Sequence, residues 1–452
     1  MSDPALFSDL PAIEATTRAT LHAGEPRVAR PDRLTMGWEM VDIDQLIAAD
    51  HQVRLVAAFV AALDLGVLYD AIRARGHGPG RDAIDPALLL SLWLFAIIEG
   101  VGSAREVARL CLRDLPYRWL CGGVVVNHHA LSDFRSHHEA LLDKLLTDSV
   151  TALLADGLIQ MERLAQDGVK VRASAGAASF RRGETLAKLR DEVEARVVAL
   201  RDELERDPQA SSRRAAQAAE RAAAARAERV RQAQERLREL EKAQAERDKK
   251  DRIDPKTGRE KQPRASTTDA DARVMRMAAG AFRPAYNVQM TCDPDTLAVL
   301  DVGLEAGGTD SGQISPALDR IEKRYGRRPS THLVDAGFCD LDDIEAAHAA
   351  GTQVIAPSNQ ARSQGDAAYA PRPKDGPGVA AWRSRMLTPD SRETYRARSH
   401  AECVFAQWRG RGLQQLLVRG YAKVRCVALL QALAHNMLCG FRLRQQVALV
   451  SA

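Results

Sequence analysis

The chain has 452 residues, 45% of them hydrophobic and 27% charged, and its formal net charge is +4. This balance favours a soluble globular protein of two or three domains. Seven scattered cysteines without a Cys-x-x-Cys pair argue against a disulfide framework and a structural zinc site, which fits a reducing cytoplasm. The start, MSDPALFSDL, does not have the pattern of a cleavable signal peptide. The longest apolar stretch, LLLSLWLFAII, is shorter than the ~20 residues that span a bilayer, so we expect no membrane contact.

Positive charge is concentrated toward the C-terminal end. Residues 359–452 hold 15 Lys or Arg against 5 Asp or Glu. Such a basic region suggests a polyanionic partner, most simply nucleic acid. A solvated, arginine-rich surface explains the asymmetry equally well, so charge alone does not decide the function.

The N-terminal third is predicted to be an arm followed by helices. Residues 1–36 have weak periodicity and scattered Pro and Arg, which predicts a flexible arm. Residues 37–160 carry apolar side chains at spacings of three and four, typical of packed helices. Asp85-Pro86 marks one helix start, and Ser103 is a candidate N-cap. Short helices near 103–112 and 131–138 could form a helix-turn-helix-like unit, although simple helical hairpins are also common.

The middle of the chain changes character twice. MERLAQDGVKVRA, at 161–173, alternates in part and predicts a strand or tight hairpin that contains Asp167. Residues 184–264 are rich in Ala, Arg, Glu and Gln, which predicts a charged helical insertion, broken near Asp207-Pro208, and a basic linker. Long charged helices often pair, so one role considered for the insertion is dimerisation.

Strands and helices alternate after residue 265. AYNVQMTC and LAVLDVGLEA predict a strand pair, and STHLVDAG predicts a buried strand that ends at Asp335. The strand pair includes Tyr286, Asn287 and Gln289. Tyr286 and Asn287 could contact DNA, although a place on an edge strand is equally plausible. A polar, Gly- and Pro-rich loop is expected over 359–389. The final helix is expected to contain VALLQALAHNMLCGFRL.

The segment YRARSHAECVFAQWR, at 395–409, predicts one amphipathic helix. Tyr395, Arg398, Glu402 and Arg409 fall on a polar stripe at helical spacing. Ala397, Ala401, Val404 and Trp408 form an apolar stripe on the opposite side.

Three carboxylates stand out on these elements: Asp167, Asp335 and Glu402. A carboxylate at the end of an apolar strand is costly unless it is solvated, paired or metal-bound. Ligand sites in open α/β sheets also lie at the carboxyl ends of strands. Taken singly, however, each residue is more often a helix cap or an ion-pair partner than a catalytic group.

From about residue 41 onward the chain resembles bacterial insertion-sequence transposases of the DDE class, closest to the IS eleven-eighty-two group. The segment at 395–409 fits that family's pattern Tyr-x2-Arg-x3-Glu-x6-Lys/Arg. The other segments that carry the resemblance are DPALLLSLWLFAIIEGVGSAREVARLC, YRWLCGG, HHALSDFR, QDGVKVRA, TDADARVM, RPAYNVQ and LVDAGFCD. The resemblance implies an α/β RNase H-like catalytic core, a mixed five-stranded sheet with flanking helices. An all-α N-terminal domain and a helical insertion complete the expected architecture.

The resemblance also implies site residues and cofactors. Asp167, Asp335 and Glu402 would be both catalytic residues and metal ligands. Two Mg²⁺ ions would be the cofactors, with Mn²⁺ as a substitute, because hard cations prefer carboxylate oxygen. TDADARVM would support the structure near the active site.

Further positively charged and aromatic side chains are candidate DNA contacts. Tyr395, Arg398 and Arg409 would contact the backbone near the cut, with Arg409 at a position that is often Lys in relatives. In the helical domain, Arg105, Arg109 and Arg135 are candidate phosphate contacts.

The expected division of the chain follows from these assignments. Residues 1–36 are the arm, 37–160 the helical DNA-binding domain, 161–183 with 265–452 the catalytic domain, and 184–264 the insertion. The expected function is a DNA transposase that hydrolyses the element's ends and transfers the freed 3′-hydroxyl to target DNA. Its partners would be double-stranded DNA, as terminal inverted repeats and as target, and a second copy of the chain. The protein would be cytoplasmic in a bacterium, and nucleoid-associated when bound to DNA.

Three other functions are weighed against this one. The first is a transposase-derived DNA-binding protein without catalysis, and the second is a metal-dependent nuclease that cuts without joining. The third is a helical scaffold protein. The order along the chain of two strands that each carry an Asp, followed by a helix that carries a Glu, counts against this function.

Overall fold

The structure is a computed structural model that describes residues 40–75, 82–206, 213–246, 253, 258, 260, 262–305 and 307–451. The expected arm at 1–36 and the expected break at Asp207-Pro208 lie outside the described residues. Ile43–Ala452 is one compact unit, and the other unit, Met1–Asp42, is described only from residue 40.

The region before the first strand is helical, as its apolar spacing predicts. Asp85 caps the third helix by accepting a hydrogen bond from Ala87 N, and Ser103 caps the fourth by accepting one from Glu106 N. Both predicted helix starts are therefore confirmed. The helices are α1 Gln52–Ala61, α2 Gly66–Asp70, α3 Pro86–Ile98, α4 Ala104–Arg113, α5 Leu115–Cys121, α6 His128–His137 and α7 Glu139–Ala155. Since α5 intervenes between α4 and α6, the expected two-helix unit contains a third helix.

A mixed sheet follows these helices. Its strand order is β4-β5-β1-β7-β8, and β6 pairs with β5 on the same side as β4. β1 runs antiparallel to β5 and parallel to β7, which is parallel to β8, while β5 and β6 are antiparallel. The strands are β1 Arg163–Arg172, β2 Phe180–Arg181, β3 Ala265–Ser266, β4 Arg273–Arg276, β5 Phe282–Cys292, β6 Val299–Glu305, β7 Thr331–Leu333 and β8 Gln353–Ile355.

Five strands, in the order β6-β5-β1-β7-β8, form the expected RNase H-like sheet. The short β4 lies beside the first half of β5 as an additional strand, and β2 pairs with β3 in a separate two-stranded sheet. The central position of β1 buries half of its ten residues.

Helices flank the sheet and form the insertion. In the insertion, α8 and α9 pack through a thin seam that includes Leu186, Val197 and Leu237. The helices are α8 Gly183–Arg206, α9 Arg213–Ala245, α10 Ile314–Tyr325, α11 Leu341–Ala349, α12 Ala361–Gln364, α13 Pro377–Met386, α14 Pro389–Arg396, α15 Ser399–Gly410 and α16 Tyr421–Ser451. Short 3-10 helices occupy Ala177–Ser179, Ala336–Phe338 and Gly365–Tyr369.

The expectation of an irregular loop over 359–389 is wrong, because α12 and α13 lie within it. Pro377 occupies the first turn of α13, where its missing N–H costs nothing. Trp382 is buried and donates a hydrogen bond to Ala356 O at 3.1 Å. The Arg383–Asp375 ion pair, at 2.7 Å, holds the start of the helix. These contacts outweigh the loop-forming composition.

The expectation of a single helix over 395–409 is also wrong. The chain forms α14 and α15, joined through Ala397 and Arg398. At the joint, Arg398 N donates to Tyr395 O and Ala401 N donates to Arg398 O, so each bond spans three residues instead of four. This tighter turn changes the register of the polar stripe between Tyr395 and Arg398.

The final helix, α16, packs against α3, α7 and β6. By length and composition alone it could cross a membrane, but most of its apolar window is buried inside the protein. Its first turn is held by the TDADARVM segment. Asp269 Oδ1 accepts from Gly420 N at 3.1 Å, and Asp271 Oδ2 accepts from Tyr421 N at 2.9 Å.

Candidate active site

Asp167 lies in the middle of the central strand β1, opposite Met290 of β5. Its side chain is 14% exposed. Oδ1 accepts hydrogen bonds from Arg398 Nη2 and from its neighbour Gly168 N, each at 2.9 Å.

Asp335 follows β7, the parallel neighbour of β1. Its Oδ1 accepts from Gly337 N at 2.7 Å and so caps the 3-10 turn Ala336–Phe338. Its Oδ2 lies 3.3 Å from Arg398 Nη2, the same nitrogen that contacts Asp167. Two strands therefore bring two carboxylates to one guanidinium.

The third carboxylate comes from α15. Glu402 stands four residues after Arg398, and its Oε1 accepts a hydrogen bond from Arg398 Nη1. Ala401, Val404 and Trp408, on the other side of this helix, are fully buried. Burial of that apolar side fixes the helix while Glu402 remains 60% exposed.

Arg398 is the centre of this arrangement. Its side chain is 9% exposed and forms ion pairs with all three carboxylates. Burial alone would lower the pKa of Arg398, but Asp167, Asp335 and Glu402 together raise it. With all groups ionised, one guanidinium leaves two of the three negative charges uncompensated.

Burial raises the pKa of Asp167 to about 6. The positive charge of Arg398 and the Gly168 N–H oppose this shift, while the charges of Asp335 and Glu402 add to it. At Asp167 the desolvation caused by burial therefore outweighs the ion pair with Arg398.

The donor set suits a hard divalent cation. All three acidic groups offer oxygen, the ligand that Mg²⁺ and Mn²⁺ prefer, and they already surround one cationic group. Within the described part of the chain, no three His, Cys, Asp or Glu side chains are arranged to hold one metal ion. The guanidinium of Arg398 lies between the carboxylates, so binding of a metal there requires it to move.

The other two residues of the 395–409 pattern lie near the ends of this unit. Tyr395, on α14, is half-buried against the main core, and burial raises its pKa. Arg409, in the last turn of α15, is exposed. The structure brings Arg398 together with the carboxylates and leaves Arg409 on the surface.

The arginines expected to bind phosphate in the helical region lie in two different environments. Arg105 and Arg109 are exposed on α4, where Arg109 also forms an ion pair with Glu106. Arg135 is 7% exposed, stacks over Trp93 and donates to Gly102 O. We therefore correct the expectation that Arg135 contacts phosphate, because its guanidinium is committed to the protein interior.

A polar cluster that the sequence did not indicate lies on the face of β1 opposite to the Asp167 side chain. Asn287 and Gln289 are almost fully buried in β5, as is Tyr286, so the contacts with DNA considered for Tyr286 and Asn287 are wrong, and β5 is not an edge strand. Both amides donate to Asp310 Oδ1 at 2.7 Å. Asp310, in the loop between β6 and α10, was missed because it belongs to no recognisable motif. The sequence did contain one signal for this cluster: polar residues recur at every second position along a strand that has neighbours on both sides.

Two family models match the chain. A model described as Transposase DDE domain matches residues 256–437, which include Asp335, Arg398 and Glu402. A model described as Transposase domain (DUF772) matches residues 41–137, which include α4 and α6. Asp167 lies between the two matched ranges. Comparison with curated proteins and with solved structures gave no match.

Proposed function

We propose that this chain, which belongs to the insertion-sequence DDE transposases, cuts DNA with Asp167, Asp335 and Glu402. The protein is a DNA transposase and depends on a divalent metal. The proposed reaction is hydrolysis at the ends of the element, followed by attack of the freed 3′-hydroxyl on target DNA. Membership of the IS eleven-eighty-two group stays a prediction.

The main support for these site residues is their convergence. Asp167 and Asp335 come from two adjacent parallel strands, and Glu402 comes from a helix late in the chain. Each places a carboxylate oxygen against the same guanidinium. Such a concentration of acidic groups destabilises the protein unless cations are bound, which favours a functional origin.

In the proposed mechanism the three carboxylates hold two Mg²⁺ ions, for which Mn²⁺ can substitute. Bound divalent ions would activate the attacking water or 3′-hydroxyl and stabilise the leaving oxygen. The burial of Asp167 limits solvent access on the strand side, whereas the exposure of Glu402 leaves a side open to DNA. With metal bound to the carboxylates, the Arg398 side chain would be available to a DNA phosphate, as would Arg409.

The N-terminal helices are proposed to bind the terminal inverted repeats. Arg105 and Arg109 are four residues apart and exposed on α4, a geometry that can follow a phosphate backbone. We retain the division into arm, helical domain, catalytic domain and insertion, and the homodimer on DNA, as proposals. The proposed location is the bacterial cytoplasm, with nucleoid association when DNA is bound.

The reaction is tested with a labelled fragment that carries the DNA end next to the protein's own gene and with a supercoiled target plasmid. We expect Mg²⁺-dependent cleavage at one position and covalent joining of the labelled end to the plasmid, both lost in EDTA. Cleavage without joined products, even with paired ends, would favour a nuclease. Specific binding without cleavage under every metal condition would favour a DNA-binding derivative.

A further inference from the structure

We propose that Asp310 is a positioning residue that raises the affinity of the active site for divalent cations. This inference rests on the proposed function, because it concerns the same carboxylate site. Asp310 comes from the loop that connects β6 to α10, and it is distinct from the three carboxylates around Arg398.

Two glycines place Asp310 against the backbone that follows the two strand carboxylates, Asp167 and Asp335. A methyl group built on Gly168, the residue after Asp167, would overlap Asp310 Oδ1 and Gln289 Nε2. A methyl group built on Gly337 would lie 2.9 Å from Asp335 Oδ1 and 3.9 Å from Asp310 Oδ2. The Asp310 carboxylate therefore fills the space left by Gly168, and its second oxygen faces the turn that Asp335 caps.

The Asp310 carboxylate is held without being neutralised. Its Oδ1 accepts 2.7 Å hydrogen bonds from Asn287 and Gln289, both almost fully buried. Among the described residues, it forms no ion pair with Lys, Arg or His. The two neutral amides thus orient the Asp310 carboxylate without neutralising it, and neither amide binds its second oxygen.

A buried polar atom in the same cluster also lacks a partner. Asn287 Oδ1 has no hydrogen-bond donor in the described structure, although Asn287 is fully buried. It lies 3.1 Å from the point where a Gly168 methyl would stand. Gln289 is further held through Gln166 Nε2, which also donates to Gln313 O. The cluster is therefore anchored on the sheet and incomplete next to Asp167.

These contacts give Asp310 a role that acts through its neighbours. Its position supports the strand backbone at Gly168 and the turn at Gly337, which aim Asp167 and Asp335, and its negative charge lies behind them on the other face of β1. Groups just outside a metal's ligands typically change metal affinity 10–100-fold when they are replaced. We assign Asp310 no contact with the reacting atoms.

The test measures Mn²⁺ binding to the full-length protein without DNA. Electron paramagnetic resonance gives the concentration of the free ion. For Asp310→Asn we expect a dissociation constant about tenfold higher than that of the unmodified chain, because the amide keeps an acceptor oxygen but loses the charge. Asp310→Glu restores the charge and should bind Mn²⁺ more tightly than Asp310→Asn. Binding of end DNA in EDTA should be unchanged in both variants.

Glu305→Gln is the matched control from the end of β6, where this loop begins. Glu305 pairs with Asn287 across the strands and accepts 2.7 Å hydrogen bonds from Gly307 N and Gln313 Nε2, so it orders the start of the loop, and it is not among the three atoms nearest to a methyl group on Gly168 or Gly337. We expect this variant to bind Mn²⁺ normally. Equal weakening in Glu305→Gln and Asp310→Asn would assign Asp310 only to loop structure and overturn the inference.

Asp335→Asn separates this inference from the proposed function. If Asp335→Asn weakens Mn²⁺ binding while Asp310→Asn does not, the role of Asp310 is wrong and the metal site stands. If Asp335→Asn binds Mn²⁺ as the unmodified chain does, the proposed metal site itself is wrong. If Asp310→Glu is as weak as Asp310→Asn, charge is not the cause and the inference fails.

Discussion

At the scale of single residues, Arg398 is the side chain on which the observed site depends. Its guanidinium satisfies three carboxylates that come from β1, the turn after β7, and α15. Only the contact with Asp167 is well buried, because Asp335 and Glu402 are 39% and 60% exposed. Arg398 therefore stabilises the fold in the absence of metal and, at the proposed metal site, would compete with metal for the same oxygens.

This competition predicts the behaviour of Arg398→Gln. In EDTA, the variant should lose about 2–3 kcal/mol of unfolding free energy, because Asp167 loses its buried cation and the carboxylates repel. Added Mg²⁺ should then stabilise the variant more than it stabilises the unmodified chain, since no guanidinium has to be displaced. Thermal unfolding with and without Mg²⁺ measures both effects.

Arg396→Gln is the control for this prediction, because Arg396 is 78% exposed and, within the part of the chain that the structure describes, forms an ion pair only with Glu393. It should change neither the stability nor the response to Mg²⁺. Equal Mg²⁺ stabilisation of Arg398→Gln and the unmodified chain would contradict the shared-site interpretation.

At the scale of secondary-structure elements, β7 shows how a three-residue strand is fixed by one polar side chain. His332 is fully buried, and its Nε2 donates to Gln166 Oε1 on β1 at 2.9 Å. Burial lowers the pKa of His332 to about 4. The unfolded chain binds this proton near pH 6.5 and the folded chain only near pH 4, so unfolding takes up a proton between these values.

The sign of the linkage makes stability fall as the pH is lowered through that window. Between pH 7.5 and pH 5, His332 should account for a loss of about 2 kcal/mol in unfolding free energy. His332→Gln should remove this part of the pH dependence, even if it lowers stability at pH 7.5. Urea unfolding at both pH values measures the difference. Burial also lowers the pKa of His435. Because His435 is present in both the variant and the unmodified chain, its contribution to the pH dependence cancels in the comparison. An unchanged pH dependence in the variant would contradict the prediction.

Elements were predictable where their signals are local. The caps at Asp85 and Ser103, and the strand pair β5–β6, follow from residues within a few positions of each other. The break between α14 and α15 was not predictable in this way, because Arg398 contacts Asp167, which is 231 residues distant. The helix α13 was missed because its burial depends on Ala356 and Asp375, which lie outside the helix itself.

The carboxylates of the candidate active site show the same limit of prediction from local sequence. Asp167 and Glu402 lie on the predicted strand and helix, while Asp335 lies two residues beyond the end of its strand. The spacing of one helix could not indicate that Arg398 would face inward. The burial of Arg135 and Asn287 was equally hidden, because each depends on a neighbouring helix or strand distant in sequence.

At the scale of the whole molecule, a network of charges joins the helical region to the sheet. Asp143 of α7 accepts from Arg324 of α10 at 2.6 Å and from Arg425 of α16 at 2.8 Å. Arg324 also lies 3.3 Å from Asp301 of β6, which is fully buried. The N-terminal helices and the sheet therefore share one partly buried network of charges and do not form independent bodies.

Asp143→Asn should weaken this connection strongly. We expect a loss of about 3 kcal/mol of unfolding free energy, because two partly buried guanidinium groups lose their shared partner. Asp148→Asn, on the same helix, breaks only an exposed pair with Lys144 and should have no measurable effect. Chemical unfolding of both variants tests the prediction, and similar stabilities would show that the network does not join the two regions.

The most direct test of the assigned site is DNA-end cleavage by three variants of matched shape. Asp167→Asn, Asp335→Asn and Glu402→Gln should each lower the rate of Mg²⁺-dependent cleavage roughly a hundredfold or more, and each should retain DNA-end binding. Glu393→Gln, which alters an exposed carboxylate on the preceding helix, should cleave at the normal rate. Normal cleavage by any of the three site variants would contradict the claim that these carboxylates form the active site.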